Sequence, residues 1–364
     1  MTYDVVVVGL GGIGSAAAAT LARRGQRVLG LDRHGPVHDQ GASHGETRIV
    51  RKAYFEGAGY VPLLLRSYEL WQELGLLTAT GGLFLGEPGS RVLEGSLATA
   101  VAHDLAHEVL TAAEVTARFP AMTPPGATVA LFEADAGFVS PELAVRAQLD
   151  RAAAAGAELH HGEPVLSWTT SSAGVRVTTA VGTYDAGALI LAPGQWAPEL
   201  IDLALPLKVE RRLMHWFNPP SGVGAFAPNR FPVWIWERGD GTVPYGAPAA
   251  AGATGGVKAA VHHSPVRPSA DWTPEQLGEL LAPLLPGLGR ALVRSVECTY
   301  TLTPDEDFIV GSHPQHERVV LACGFSGHGF KFTPVLGEVL ADLAVDGTTA
   351  YDLNVLSPQR FLGV

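Results

Sequence analysis

The sequence predicts an α/β (α+β) fold in which a Rossmann-like domain is interleaved with a second domain rich in β-sheet. Three observations carry this reading: a strand, glycine turn and helix at the N-terminus, a strand, glycine loop and helix near the C-terminus, and β-rich sequence over residues 206–300. At the start, Val5-Val6-Val7-Val8 runs into Gly9-Leu10-Gly11-Gly12-Ile13-Gly14 and the alanine-rich stretch from Ser15 to Ala22. About twenty residues past the glycines, Asp32 closes Gln26-Arg27-Val28-Leu29-Gly30-Leu31. Gly9 permits the tight turn, Gly11 lets backbone N–H groups approach a pyrophosphate, Gly14 lets the helix close on the strand, and Asp32 accepts hydrogen bonds from ribose hydroxyls. A glycine turn alone can be purely structural, but the valine run, the helix and the placed acid together mark a dinucleotide site. The motif leaves open whether the ligand is NAD or FAD.

The far end bears on that choice. Residues 319–333 read Val-Val-Leu-Ala-Cys-Gly-Phe-Ser-Gly-His-Gly-Phe-Lys-Phe-Thr, a buried strand, a glycine-rich loop and a helix start with Thr333 as N-cap and Pro334 at the first helical position. A helix N-terminus presented by such a loop suits an anion or a carbonyl oxygen, and the pyrimidine ring of a flavin offers one. With this loop and Gly41-Ala-Ser-His-Gly-Glu-Thr-Arg-Ile-Val-Arg51, the chain resembles the monomeric sarcosine oxidase and N-methyltryptophan oxidase family, FAD-dependent amine oxidases of the D-amino-acid-oxidase-like superfamily. The likeness runs almost the full length and is densest at residues 3–75 and 296–345.

The remaining elements follow in order. A chain of 364 residues exceeds a typical single domain. The expected FAD-binding domain is discontinuous, 1–76, 139–205 and 301–364, and the substrate domain takes 77–138 and 206–300. Val61, Leu64, Leu65, Tyr68 and Trp71 recur at helical spacing with Gly75 as a stop, so their stripe is core. Residues 77–138 read as short β pieces between turns. Ser140-Pro141 opens a helix that ends at Gly156, and Val165 and Ala188–Leu191 return to buried strands. Gly194-Gln-Trp196 resembles the family turn where the chain leaves the cofactor domain, and Val233-Trp-Ile-Trp236 belongs to the substrate-covering sheet. The run Ala247–Gly256 is expected to be a mobile loop.

The formal charge of -11, with no Lys/Arg run, argues against nucleic acid or an anionic membrane as partner. Two cysteines, Cys298 and Cys323, are too few for a disulfide framework, so a reducing cytoplasm is expected. A strand that begins by residue 3 leaves no room for a signal peptide, and no apolar run reaches membrane-span length. No metal site is expected.

Several residues could carry chemistry. In Gly255-Gly-Val-Lys-Ala-Ala-Val-His262, a period of two puts Lys258, Ala260 and His262 on one strand face. The pattern alone fits an edge strand in water equally well. The resemblance implies that Lys258 lies over the flavin and promotes reaction with O2, a step in which a fixed ammonium stabilises developing negative charge, and that His262 lies near the substrate. A free cysteine is most often a small buried hydrophobe, as Cys323 is expected to be. Cys298, in Val-Glu-Cys-Thr-Tyr-Thr-Leu-Thr-Pro-Asp-Glu, matches by resemblance the cysteine bonded through sulfur to the flavin.

The resemblance further implies that Arg51 and Lys331 hold a substrate carboxylate, a cationic clamp that an acidic protein needs, and that Arg48 packs near the isoalloxazine. Tyr245 and His328 are candidates for the pocket wall. The implied FAD contacts are Gly9, Gly11, Gly12, Ile13, Gly14, Asp32, Ser43, His44, Thr47, Arg48, Val165, Cys298, Gly327, Gly329 and Lys331. The implied reaction is oxidation of a sarcosine-like secondary amino acid to an imine, with O2 reduced to H2O2 by a monomer. Alternatives are a larger or cyclic amine, such as N-methyltryptophan, pipecolate or proline, and a flavin dehydrogenase with another acceptor. Tyr245 lies two residues further from Lys258 than the family pattern, and any of Met214, His215 and Trp216 could narrow the pocket.

Overall fold

The computed structural model describes residues 2–249 and 255–362, so residues 250–254 of the expected mobile loop lie outside the described residues. The chain divides into two compact units: Met1–His44, Pro141–Glu210 and Thr299–Val364 form one, and Gly45–Ser140 and Arg211–Cys298 form the other.

In the first unit, five strands run parallel in the spatial order Glu158–His161, Val28–Asp32, Tyr3–Val8, Thr183–Leu191 and His316–Cys323. Antiparallel strands Val165–Ser171, Gly174–Thr179 and Ile309–His313 extend this sheet. Val5–Val8, Leu189–Leu191 and Val319–Cys323 are continuously buried, as expected of parallel strands covered on both faces. Helices Gly12–Arg23, Pro141–Ala154 and Thr333–Asp346 pack together. Gly337 is needed there, because a Cβ at that position would lie 2.7 Å from the Ala16 backbone.

The C-terminal helix begins differently from the sequence reading. A 3-10 turn over Phe330–Phe332 already winds the chain, so Phe332 is the N-cap and Thr333 the first helical residue, with Pro334 following. The boundary moves by one residue, within the usual fraying of helix ends.

The second unit holds an eight-stranded sheet in the order Leu292–Leu302, Lys208–Phe217, Val257–His263, Val243–Ala247, Val233–Trp236, Gly82–Gly86, Val129–Glu133 and Glu108–Thr111. A small sheet joins Arg48–Val50, Gly137–Val139 and Thr78–Ala79. Residues 45–76 group with this unit in space, because Arg48–Val50 pairs with Gly137–Val139 and because Ala53 and Val61 share a core with Phe84 and Val233.

Helix Val61–Leu74 ends at Gly75 in the left-handed conformation, as its spacing predicts. Leu65 is exposed, however, and Leu63 takes its place in the buried stripe: Leu65 shares a face with the exposed Glu69 and Gln72. Residues 77–138 are less β-like than expected, for Arg91–Ala102 is a helix that buries Val92, Leu93, Ser96, Thr99 and Ala100. Its Gly95 allows close approach to Phe55. Among the described residues, no helix is long and apolar enough to cross a membrane.

Candidate active site

The first unit carries a cleft of about 970 Å³, open solvent at its mouth included, lined by Gly9–Ile13, Asp32, Ser43, Val165 and Trp196. The glycines are required by sterics: Gly9 has φ +88°, and a Cβ on Gly14 would overlap the Gly9 carbonyl oxygen. Ser43 Oγ accepts from Gly12 N at 3.0 Å, so the serine of the second motif meets the first glycine turn. Asp32 accepts from Leu10 N at 2.7 Å and from His34 N at 2.8 Å, one bond on each carboxylate oxygen. Burial works against its charge, but the side-chain bond from His38 and these two N–H groups outweigh it and hold the carboxyl below its ordinary range. An ionised carboxylate has about four acceptor sites, so Asp32 keeps capacity for ribose hydroxyls. The residues present therefore fit the adenosine diphosphate half of FAD.

In the same unit, the C-terminal loop is tightly specified. Gly327 has φ +82°, and a Cβ there would overlap the Tyr300 ring, while one on Gly329 would press on Phe325. Lys331 is buried and donates to His328 O at 2.6 Å. His328 packs on Phe308 and donates Nε2–H to Glu306 O at 2.9 Å. His44 is buried in this unit as well. Cys323 lies inside the strand, where burial pushes its thiol up to about 12, in keeping with a packing role.

The second unit gathers most of the other candidates on one strand face. Trp216 pairs with Lys258 and Met214 with Ala260 across neighbouring strands, so these four side chains share a face and the period-two reading of Lys258 and Ala260 holds. Val257, Ala259 and Val261 enter the opposite core. Half-buried His262 follows on the Lys258 face, and Tyr245 packs against the cluster of Met214, Trp216, Ala260 and Cys298. His215 points the other way: its Nε2 donates to Trp272 O at 3.0 Å and its Nδ1 meets Ser295 Oγ at 2.7 Å. Only Met214 and Trp216 of that trio can shape a pocket on the Lys258 face.

Lys258 is 2% exposed, and its Nζ donates to Gly45 O and Thr47 O, both at 2.8 Å. Arg48 reaches the same cluster, its Nη2 3.7 Å from Cys298 Sγ and its Nη1 3.9 Å from Met214 Sδ. Arg51 lies apart from this cluster of contacts. It is buried among Tyr54, Phe55 and Phe84, donates to Ala53 O at 2.7 Å and forms an ion pair with Glu56 at 2.5 Å. Neither spacing nor periodicity singles out Glu56 and Glu46, whose contacts are set by loop conformation. Sequence does mark one of them: Glu46 stands between Gly45 and Thr47 in the quoted motif. Among the described residues, no group of His, Cys, Asp and Glu could hold a metal ion.

Comparison with known proteins agrees with this architecture. A family model described as FAD dependent oxidoreductase matches residues 4–343. The chain is 46% identical to a monomeric sarcosine oxidase of Streptomyces avermitilis, over 99% of this chain and 98% of that protein. It is 36% identical to an N-methyl-L-tryptophan oxidase of Yersinia pestis, over 99% of this chain and all of the other. The structure of NikD, an unusual amino acid oxidase essential for nikkomycin biosynthesis, superposes with a TM-score of 0.83 at 28% identity, covering 98% of this chain and 97% of that one. The chain belongs to the FAD-dependent oxidoreductase family, with FAD as its cofactor.

Proposed function

We propose that this protein is an FAD-dependent amine oxidase that converts a sarcosine-like N-methyl amino acid to an imine and reduces O2 to H2O2. The observation that carries the reading is the burial of three cations, Arg51, Lys258 and Lys331, in an acidic member of this flavoenzyme family. Burying an ammonium or guanidinium group is costly, and buried cations are a common mark of sites that bind anionic ligands or stabilise developing negative charge. Bound FAD supplies the two-electron chemistry, accepting a hydride equivalent from the C–H bond beside nitrogen and later passing two electrons, with two protons, to O2.

The side chains supply position and field. Arg51 and Lys331 are the carboxylate-binding cations, and the carboxylate would replace Glu56 as the partner of Arg51. Lys258, in a site closed to water, stabilises the negative charge that develops on oxygen. Tyr245 and His262 would contact substrate, Arg48 would support the flavin ring, and Cys298 would hold it by a thioether from Sγ to the 8-methyl carbon, losing the thiol proton and one methyl hydrogen while two electrons pass by way of the flavin to O2. Hydride loss leaves an iminium that gives up its N–H proton, the second proton O2 requires, and the neutral imine leaves and adds water to give an amine and an aldehyde. Support for this set comes from the shared strand face of Lys258, Met214 and Trp216 and from the Arg48–Cys298 contact. Two buried cysteines that do not pair in a disulfide accord with a cytoplasmic location, and the proposed monomer should elute in gel filtration at the mass of one chain.

The test is anaerobic mixing of the purified enzyme with sarcosine, then with N-methyltryptophan, pipecolate and proline. Rapid bleaching of the flavin by an N-methyl amino acid, followed by prompt return of colour and H2O2 in air, is the expected result. A flavin that only dithionite can bleach would overturn the reading. Acid precipitation tests the linkage: the parent pellet should stay yellow, and Cys298→Ala should release its flavin.

A further inference from the structure

Glu46 sits at a point of backbone strain. Its φ is +64°, Gly45 before it has φ +98°, and Thr47 N donates to Gly45 O at 2.7 Å across it. An i to i+2 bond around a residue of positive φ is a γ-turn of the rare, strained hand. A non-glycine residue in such a region is strained and persists only where its surroundings hold it there. Those surroundings are visible: the Glu46 carboxylate accepts from Trp216 Nε1 at 2.8 Å and from Arg294 Nη2 at 2.6 Å. Arg294 in turn lies over the Trp216 ring, 4.1 Å from its centroid.

What the turn achieves is equally specific. Its two flanking carbonyls, Gly45 O and Thr47 O, are the acceptors for Lys258 Nζ, and the ammonium lies 5.4 Å from the centroid of the same Trp216 ring. Glu46 thus has its carboxylate tied to Trp216 and Arg294 and its neighbouring carbonyls tied to the lysine. We propose that Glu46 is a positioning residue for the Lys258 ammonium, with Trp216 and Arg294 as the anchors that keep the strained turn in register. This inference rests on the reading of Lys258 as the group that promotes reaction with O2.

The experiment uses the full-length holoenzyme and five forms: parent, Lys258→Met, Glu46→Gln, Glu46→Gly and Trp216→Phe. Reoxidation of the substrate-reduced enzyme by O2 and anaerobic reduction by substrate are timed separately. The resting enzyme is also examined by NMR with lysine labelled at Cε. The chain has four lysines, Lys52, Lys208, Lys258 and Lys331, so the Lys258 signal is assigned by its loss in Lys258→Met.

Glu46→Gln and Trp216→Phe should slow reoxidation about tenfold more than reduction, as displacement of a preorganised group does, and should shift the Lys258 signal alone. Glu46→Gly should do the same, since glycine keeps the turn accessible but removes the anchor. If Lys258→Met is slow while the Glu46 and Trp216 variants keep the parental reoxidation rate and Lys258 signal, the positioning role is overturned. Equal slowing of both half-reactions with a lowered Tm would overturn it too, as a merely structural effect. If Lys258→Met itself reoxidises at the parental rate, the oxygen reading of Lys258 fails, and a displaced Lys258 signal in Glu46→Gln still upholds the positioning.

Discussion

A methyl group at Gly327 would overlap the Tyr300 ring and force a side chain to φ +82°, two penalties at one position. Gly327→Ala should therefore cost at least about 2 kcal/mol, read as a lower denaturation midpoint, with a perturbed flavin absorption spectrum. Arg51 invites a different experiment. Glu56→Gln leaves the buried guanidinium without its counter-charge, which should cost about 3 kcal/mol of stability. Under the proposed function the same change removes a competitor, so acetate or another small carboxylate should bind more tightly, as followed by flavin difference spectra. Overturning that part of the proposal would take a weaker acetate complex. The face occupied by Lys258 was legible in the sequence, because strand periodicity is a local rule. The pairing of Arg51 with Glu56 was not, because it depends on how the loop between them folds.

Elements reveal the same division between local and tertiary information. Helix Pro274–Leu281 starts with a capping box: Thr273 Oγ1 accepts from Gln276 N, and Gln276 Oε1 accepts from Thr273 N. Thr273→Ala should cost about 1 kcal/mol, measurable as a small fall in Tm with unchanged flavin binding. Those signals stand plainly in Thr273-Pro-Glu-Gln276, yet the surrounding β-rich stretch masks them. Helix Arg91–Ala102 was hidden by the glycine and proline turns on its N-terminal side, although its buried positions keep helical spacing. His215 could not be oriented from sequence, since only the pairing of Met214 with Ala260 shows which way it points. Burial lowers its pKa below the ordinary 6.5, opposed by the Trp272 carbonyl. The folded state then binds fewer protons than the unfolded chain, so its contribution to stability is full above about 6.5 and is lost as pH falls through the folded pKa. His215→Asn should flatten the fall of Tm between pH 7 and pH 5. An unchanged slope would mean that other groups dominate.

At the scale of the molecule, the interleaving of two domains was legible because each cofactor motif brackets a strand and a helix. The place of residues 45–76 was not, since it turns on the pairing of Arg48–Val50 with Gly137–Val139. Burial also lowers the pKa of His161 and His313 in the first unit, so both units carry imidazoles whose protonation reduces stability. Acid should therefore unfold the protein and expose its tethered flavin in one pH interval, below about 6.5, as seen by parallel flavin-fluorescence and circular dichroism titrations. The close seating of Gly337 on Ala16 has a temporal meaning as well. The helix that follows the first glycine turn must wait for a partner synthesised more than three hundred residues later. At about 5–20 residues per second, a nascent chain spends tens of seconds with that alanine face uncovered. A ribosome stalled before Thr333 would thus hold a sticky, flavin-incompetent fragment, a natural client for the chaperones that attend translation.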